Sequence, residues 1–252
     1  MRVFAISDLH VDYAANARWV ASLSTTQYLD DILIVAGDVS NSLQQLEWAL
    51  KTIAARFKKV LFVPGNHDLW VINDDRATSL AKFTQVRTVV EKIGVSMRRF
   101  SYNGLSIVPL LGWYDYSFGQ PSQELLDSWM DYRACRWPSY LEASDVAAHF
   151  EGLNDVTEVA GNEHVITFSH FLPRIDVMPE YIPEQKRVMY PVLGAARLDK
   201  QVRKLKSKMH VYGHSHVNRR VHIDGVTYVN NAFGYPHEIR IASKHLLCIY
   251  PM

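Results

Sequence analysis

Cysteine is scarce in this chain: two residues in 252, Cys135 and Cys248, far apart and outside any Cys-x-x-Cys pair. That scarcity excludes a disulfide framework or a zinc knuckle and points to a reducing compartment. Long apolar runs are missing as well, because no stretch approaches the roughly 18 residues of a membrane span. Charge of one sign is also missing: 27 Lys and Arg against 26 Asp and Glu leave a formal net charge of +1 with His neutral. Such a balance carries no electrostatic footprint of a duplex-binding protein, so nucleic acid is unsupported as a partner. The opening run Val3-Phe4-Ala5-Ile6 is broken at once by Asp8, His10 and Asp12, unlike a secretory signal. The expectation from these absences is a cytoplasmic protein with no membrane partner.

What is present is ordinary for a globular chain, 48% hydrophobic and 21% charged, and predicts a compact core. Six runs rich in Val, Ile, Leu and Phe read as buried strands: Val3 to Ile6, Ile32 to Ala36, Val60 to Val63, Leu105 to Leu111, Val165 to Phe168 and His210 to Tyr212. Between the second and third, Leu43, Leu46, Ala49, Leu50, Ile53, Ala54 and Phe57 recur at helical spacing, with Ser40 or Asn41 placed to cap the start. Leu80, Phe83, Val86, Val90 and Ile93 mark a second helix, which Gly94 ends. Asn103-Gly104 and Asp224-Gly225, each between apolar runs, predict hairpins, so parallel and antiparallel strands are both expected. The stretch from Gly112 to about Asn162 is crowded with aromatics and poor in strand-like runs. It reads as a helical and loop insertion on one domain spanning 1–252, not as a domain of its own.

Five short motifs stand in order: Asp8-Leu9-His10, Gly37-Asp38, Gly65-Asn66-His67-Asp68, Ser169-His170 and Gly213-His214-Ser215-His216. Four of them follow a predicted strand directly. In an α/β sheet the loops that leave strand C-termini converge on one edge, where residues distant in sequence meet. Carboxylates and imidazoles without thiolates suit borderline divalent ions, Mn, Fe or Zn, and the lack of a carboxylate-only cage argues against calcium. A carboxylate such as Asp38 can give one oxygen to each of two ions about 3.5 to 4 Å apart. Asp-x-His and His-x-His spacings put both side chains on one side of an extended segment.

This ordered set resembles the calcineurin-like metallophosphoesterase superfamily, whose pattern of Asp-x-His, Gly-Asp, Gly-Asn-His-Asp/Glu, His and Gly-His-x-His is matched from Asp8 to His216. The resemblance implies an α/β architecture of two packed mixed β-sheets flanked by helices, a four-layer sandwich. It also implies two divalent metal ions, one held by Asp8, His10 and His216, the other by Asn66, His170 and His214, with Asp38 bridging. His67 would sit beside the substrate and Asp68 would orient its imidazole and favour the protonated form. Asp38 is followed by Val39-Ser40-Asn41, unlike the extended motif of the protein phosphatases. The implied reaction is hydrolysis of a small or medium phosphomonoester or phosphodiester, a hydroxide held between the ions attacking phosphorus in line. A cyclic-nucleotide phosphodiesterase fits the same pattern, and a non-catalytic protein-binding scaffold is the alternative from another class.

Single residues carry less. His149, His164, His210, His222, His237 and His245 lie outside the motifs and are read as structural. Trp113, Tyr114 and Tyr116 are read as packing the insertion onto the scaffold, and Arg133 and Arg136 as solvated surface. The basic run Arg197, Lys200, Arg203, Lys204, Lys206 and Lys208 is read as a solvated helix face. Pro173, in Phe171-Leu172-Pro173-Arg174, stiffens the chain after His170.

Overall fold

The structure, a computed structural model, describes residues 1–72, 77–158 and 164–251. The chain runs β1 (Arg2–Ile6), α1 (Ala14–Ser22), β2 (Ile32–Ala36), α2 (Leu43–Ala54), β3 (Lys59–Val63), α3 (Ser79–Lys92), β4 (Phe100–Tyr102) and β5 (Leu105–Pro109). Three short helices follow, α4 (Gln123–Ser128), α5 (Asp131–Ala134) and α6 (Ala143–Gly152), then β6 (His164–Phe168), α7 (Ala196–Lys204), β7 (Met209–Tyr212), β8 (Arg219–Ile223), β9 (Val226–Asn230) and β10 (Leu247–Pro251). A four-stranded sheet has the order β10-β1-β2-β3 and a six-stranded sheet the order β4-β5-β6-β7-β9-β8. Both are mixed: β1, β2 and β3 pair in parallel, as do β5, β6, β7 and β9, and the remaining edge pairings are antiparallel.

Side-chain alternation in the strands explains the layering. Val3, Ala5, Ile32 and Ile34 face Ile107, Ile166, Val211 and Val229 in a core between the sheets. The opposite faces, Phe4, Ile6, Leu33 and Val35, meet Leu46, Leu50, Val86 and Val90 of α2 and α3. On the six-stranded sheet, Val108, Tyr212 and Tyr228 meet Phe150, Leu198 and Val202 of α6 and α7. Helices therefore cover both outer faces, as the family resemblance implies. The end of the insertion, 159–162, lies outside the described residues.

Local details agree and differ instructively. Asn103 (φ 49°) and Gly104 (φ 76°), like Asp224 (48°) and Gly225 (82°), both take positive φ, the conformation that a two-residue turn of matching twist requires. The cap of α2 is Ser42, whose hydroxyl accepts from the Gln45 N–H, not Ser40 or Asn41. Ser40 is engaged elsewhere, its Oγ donating to Asp12 Oδ1 at 2.8 Å. Strand β5 stops at Pro109, two residues short of the expected Leu111, because the Leu111 N–H turns to Asn154 Oδ1 at 2.7 Å.

One close backbone crossing steadies a loop behind the site. Gly194 bridges Leu172, and a Cβ added to it would stand 2.0 Å from the Leu172 carbonyl oxygen. Since the clash is with backbone, Gly194→Ala is expected to destabilise the protein by about 3 kcal/mol or more. A denaturant midpoint unchanged from wild type would show that the crossing is not tight.

Candidate metal centre

All five motifs meet at the edge where β1, β2, β3, β6 and β7 end. Backbone bonds stitch the loops together: Asp8 N–H to Gly37 O (2.9 Å), His10 N–H to Asp38 O (3.0 Å) and Gly213 N–H to His170 O (2.9 Å). The two sheets are joined there by the His214 N–H, 3.0 Å from Asp8 Oδ1. Gly65 permits this closeness, since a Cβ on it would lie 2.1 Å from Asp38 Oδ1. Asp8, His10, Asp38, Asn66, His170, His214 and His216 are all buried.

Three groups of donor atoms are close enough to share a cation: Asp8, His10 and His216; His10, Asp38 and His67; and Asp38, His170 and His214. Asp38 is central, its Oδ2 lying 3.5 Å from His170 Nε2 and 3.9 Å from both His10 Nε2 and His67 Nε2.

Hydrogen bonds test whether these atoms fit a metal. His170 Nδ1 is 3.0 Å from the Ala36 carbonyl and His214 Nε2 is 3.1 Å from the Val192 carbonyl. A carbonyl only accepts, so each of those nitrogens carries the proton and the other nitrogen of each ring presents a lone pair. Those lone pairs face each other, His170 Nε2 to His214 Nδ1 at 3.1 Å, with Asn66 Oδ1 3.0 Å from His170 Nε2. Burial disfavours protonating either ring and holds both below the ordinary imidazole range. Three acceptors pointed at one another repel unless a cation lies among them, so this donor set fits a divalent ion.

The second group behaves differently without metal. His216 Nδ1 is 2.7 Å from Glu238 Oε2, so its Nε2 faces Asp8 Oδ1 at 3.3 Å and His10 Nε2 at 3.1 Å. Burial opposes protonation of His216, but the Asp8 and Glu238 carboxylates outweigh it and raise the ring to about 10. His10 is lowered to about 3, by burial first and then by the charge of His216. A proton thus takes the place where a cation competes.

Backbone geometry marks the same residues. Of nine described non-glycine residues at positive φ, five are Asp8 (54°), His10 (41°), Asp38 (56°), His214 (68°) and His216 (54°). Left-handed backbone costs about 1–3 kcal/mol at such positions and clusters at functional sites.

Two expectations need correction. Asp68 does not orient His67: its Oδ1 accepts the N–H groups of Val39 and Ser40, and its Oδ2 those of Asp38 and Gly65, at 2.8–3.0 Å. It clamps the second and third motif loops together. Nor do its surroundings favour a protonated His67: burial first, and then the His10, His170 and His216 rings beside it, push its pKa well down. Its ring is instead fixed by stacking on Trp70, centroids 3.7 Å apart.

Two carboxylates missed in the sequence support the candidate ligands. Asp131, at the start of α5, accepts from Asn66 Nδ2 (2.8 Å), Trp70 Nε1 (2.7 Å) and Trp129 Nε1 (2.8 Å), which turns the Asn66 oxygen toward His170. Glu238 fixes His216. Neither has a motif; the available signal was an acid set among aromatics, between Trp129 and Tyr132, and another just beyond β9.

His210, Trp113 and Tyr114 behave as read, whereas Arg136 is only half exposed and Arg203 is ion-paired with Asp199. His210 is buried, bonding Thr167 Oγ1 (2.8 Å) and Ser169 Oγ (3.0 Å). Trp113 and Tyr114 are core residues. On the basic helix α7, Leu198 and Val202 face inward.

The calcineurin-like phosphoesterase family model matches residues 1–218. The chain is 28% identical over 260 residues to the acyl-carrier-protein phosphodiesterase PptH of Mycobacterium tuberculosis, covering 94% of this chain and 79% of that protein. The crystal structure of phosphopantetheinyl hydrolase (PptH) from the same organism superposes with a TM-score of 0.79 at 26% identity, covering 100% of this chain and 96% of that one. With its strained, lone-pair-bearing loops at the sheet edge, the chain belongs to the calcineurin-like phosphoesterase family and is a metal-dependent hydrolase of phosphate esters.

Proposed function

We propose that the protein is a phosphodiesterase that releases a phosphopantetheinyl group from a carrier protein. The observation that carries this reading is the likeness to phosphopantetheinyl hydrolase along the whole chain, the aromatic insertion included. Asp8, His10 and His216 would hold one ion and Asn66, His170 and His214 the other, with Asp38 shared between them. The donors, imidazole with carboxylate and amide oxygen, suit Mn, Fe or Zn. Two such ions supply Lewis acidity toward phosphoryl oxygens and lower the pKa of bound water. The chain's own residues do the rest: Trp70 holds the His67 ring, and His67 Nε2 lends a hydrogen bond to the ester. We read the chain as one domain, because Leu125, Ala147 and Phe150 of the insertion share a core with Val108 and Tyr228 of the sheet. A cytoplasmic location is supported by two free thiols, and no helix among the described residues is long and apolar enough to cross a membrane.

Chelator-stripped protein, resupplied with Mn, Zn or Fe, tests the reading. Metal is expected to restore cleavage of bis-p-nitrophenyl phosphate and release of phosphopantetheine from holo-acyl carrier protein, with the diester preferred to p-nitrophenyl phosphate. Metal-bound protein inert toward all three would favour the scaffold reading. A strong monoester preference would exclude the phosphodiesterase.

A further inference from the structure

Beside the metal centre lies a groove of about 260 Å³, walled by Trp70, Val71 and Ile72 together with Asn41, Ser42 and Gln85. It lies between the two loops that carry the central residues: Asn41 comes three residues after Asp38, and Trp70 three after His67. Trp70 belongs to both places, since it lines the groove and its ring stacks on His67. That wall is rigid, because the indole N–H is tied to Asp131. Lys82 Nζ donates to the Asn41 carbonyl at 3.1 Å and so holds the approach to α2 against α3. The lining mixes the amides of Asn41 and Gln85, the Ser42 hydroxyl and the Lys82 ammonium with apolar surface, and Ile72 is left 45% exposed. Amide, hydroxyl and apolar groups side by side suit a ligand that carries amides between methylene groups.

We propose that the groove seats the phosphopantetheinyl arm of the substrate, a neutral chain bearing two amides and a hydroxyl. Asn41 and Gln85 hydrogen-bond its amides, and Trp70 and Ile72 cover its methyl and methylene groups. An arm lying against Trp70 presents its phosphate on the His67 side of the centre. The proposal rests on the phosphopantetheinyl reading above. A rival seat is the cavity of about 380 Å³ among Tyr116, Tyr132, Trp137 and Leu141 in the insertion, and the experiment separates the two.

Holo-acyl carrier protein and bis-p-nitrophenyl phosphate are assayed in parallel with Ile72→Arg, Gln85→Ala and, in the rival cavity, Leu141→Arg. Both groove variants are expected to lose at least about 10-fold more kcat/KM on the carrier protein than on the armless ester, the scale of one lost polar or apolar contact. Free pantetheine, read by saturation-transfer NMR, is expected to contact wild type and Leu141→Arg but not Ile72→Arg, which removes docking of the carrier protein from the comparison. Equal losses on both substrates, pantetheine signals surviving in Ile72→Arg, or the selective loss appearing in Leu141→Arg would each overturn the groove. Wild type that cleaves the armless ester but not the carrier protein overturns the phosphopantetheinyl reading and the occupant with it. An active wild type with unaffected groove variants overturns the groove alone.

Discussion

Asp38→Asn is expected to lower metal-saturated turnover of bis-p-nitrophenyl phosphate by about 10³-fold or more while leaving the thermal midpoint close to wild type. The substitution is nearly isosteric, and an amide oxygen can still accept the His67 N–H that Asp38 Oδ1 accepts at 2.9 Å. What it removes is charge. Burial, and then repulsion from Asp68 and Asp8, push the Asp38 carboxyl well above the ordinary carboxylate range, so its ionised form is favoured only beside cations. An amide cannot supply that negative charge between two ions. Losing several kcal/mol of electrostatic stabilisation corresponds to the stated factor at 1.36 kcal/mol per tenfold. Steady-state rates and thermal denaturation check it, and a variant within tenfold of wild type would dislodge Asp38 from the centre.

Asp131→Ala is expected to weaken binding at the Asn66 site by about 10–100-fold, the usual scale for removing a group that orients a ligand. The mutation leaves Asn66 Nδ2 and the indole N–H groups of Trp70 and Trp129 without their acceptor. Leaving a buried donor unpaired costs about 1–3 kcal/mol, so the fold weakens as well. The amide of Asn66 can then turn its NH2 toward His170 Nε2, a lone pair it suits as well as a cation does. Calorimetric titration of stripped protein with Mn or Zn should resolve two binding steps in wild type and a weakened one in the variant. Two steps of unaltered affinity would make Asp131 purely architectural.

The strands were legible where they are buried on both faces. Ile32–Ala36 is a continuous apolar run because parallel neighbours and both layers cover it, and Leu105–Pro109, between antiparallel β4 and parallel β6, is broken only by the buried Ser106. Strands β8 and β10 were not singled out: Arg219–Ile223 is half exposed and carries Arg and His, and Leu247–Pro251 is a mixed edge strand. The clustered donor residues were legible because each motif sits at a strand end with fixed local spacing. Asp131 and Glu238 were not, because they reach the ligands through space, from elements that bear no set distance in sequence to them. The role expected of Asp68 failed for a related reason. Adjacency to His67 suggested a side-chain partner, but the turn at His67–Leu69 aims the carboxylate back at the backbone N–H groups.

The left-handed backbone at Asp8, His10, Asp38, His214 and His216 has a consequence for how such a chain changes over generations. Glycine adopts that conformation without strain. Exchanging a donor side chain for glycine at these places therefore relaxes the polypeptide while it silences the chemistry. Backbone strain pulls these five positions toward inactivity, opposed at Asp8 and Asp38 by the hydrogen bonds that they accept from the His214 and His67 N–H groups.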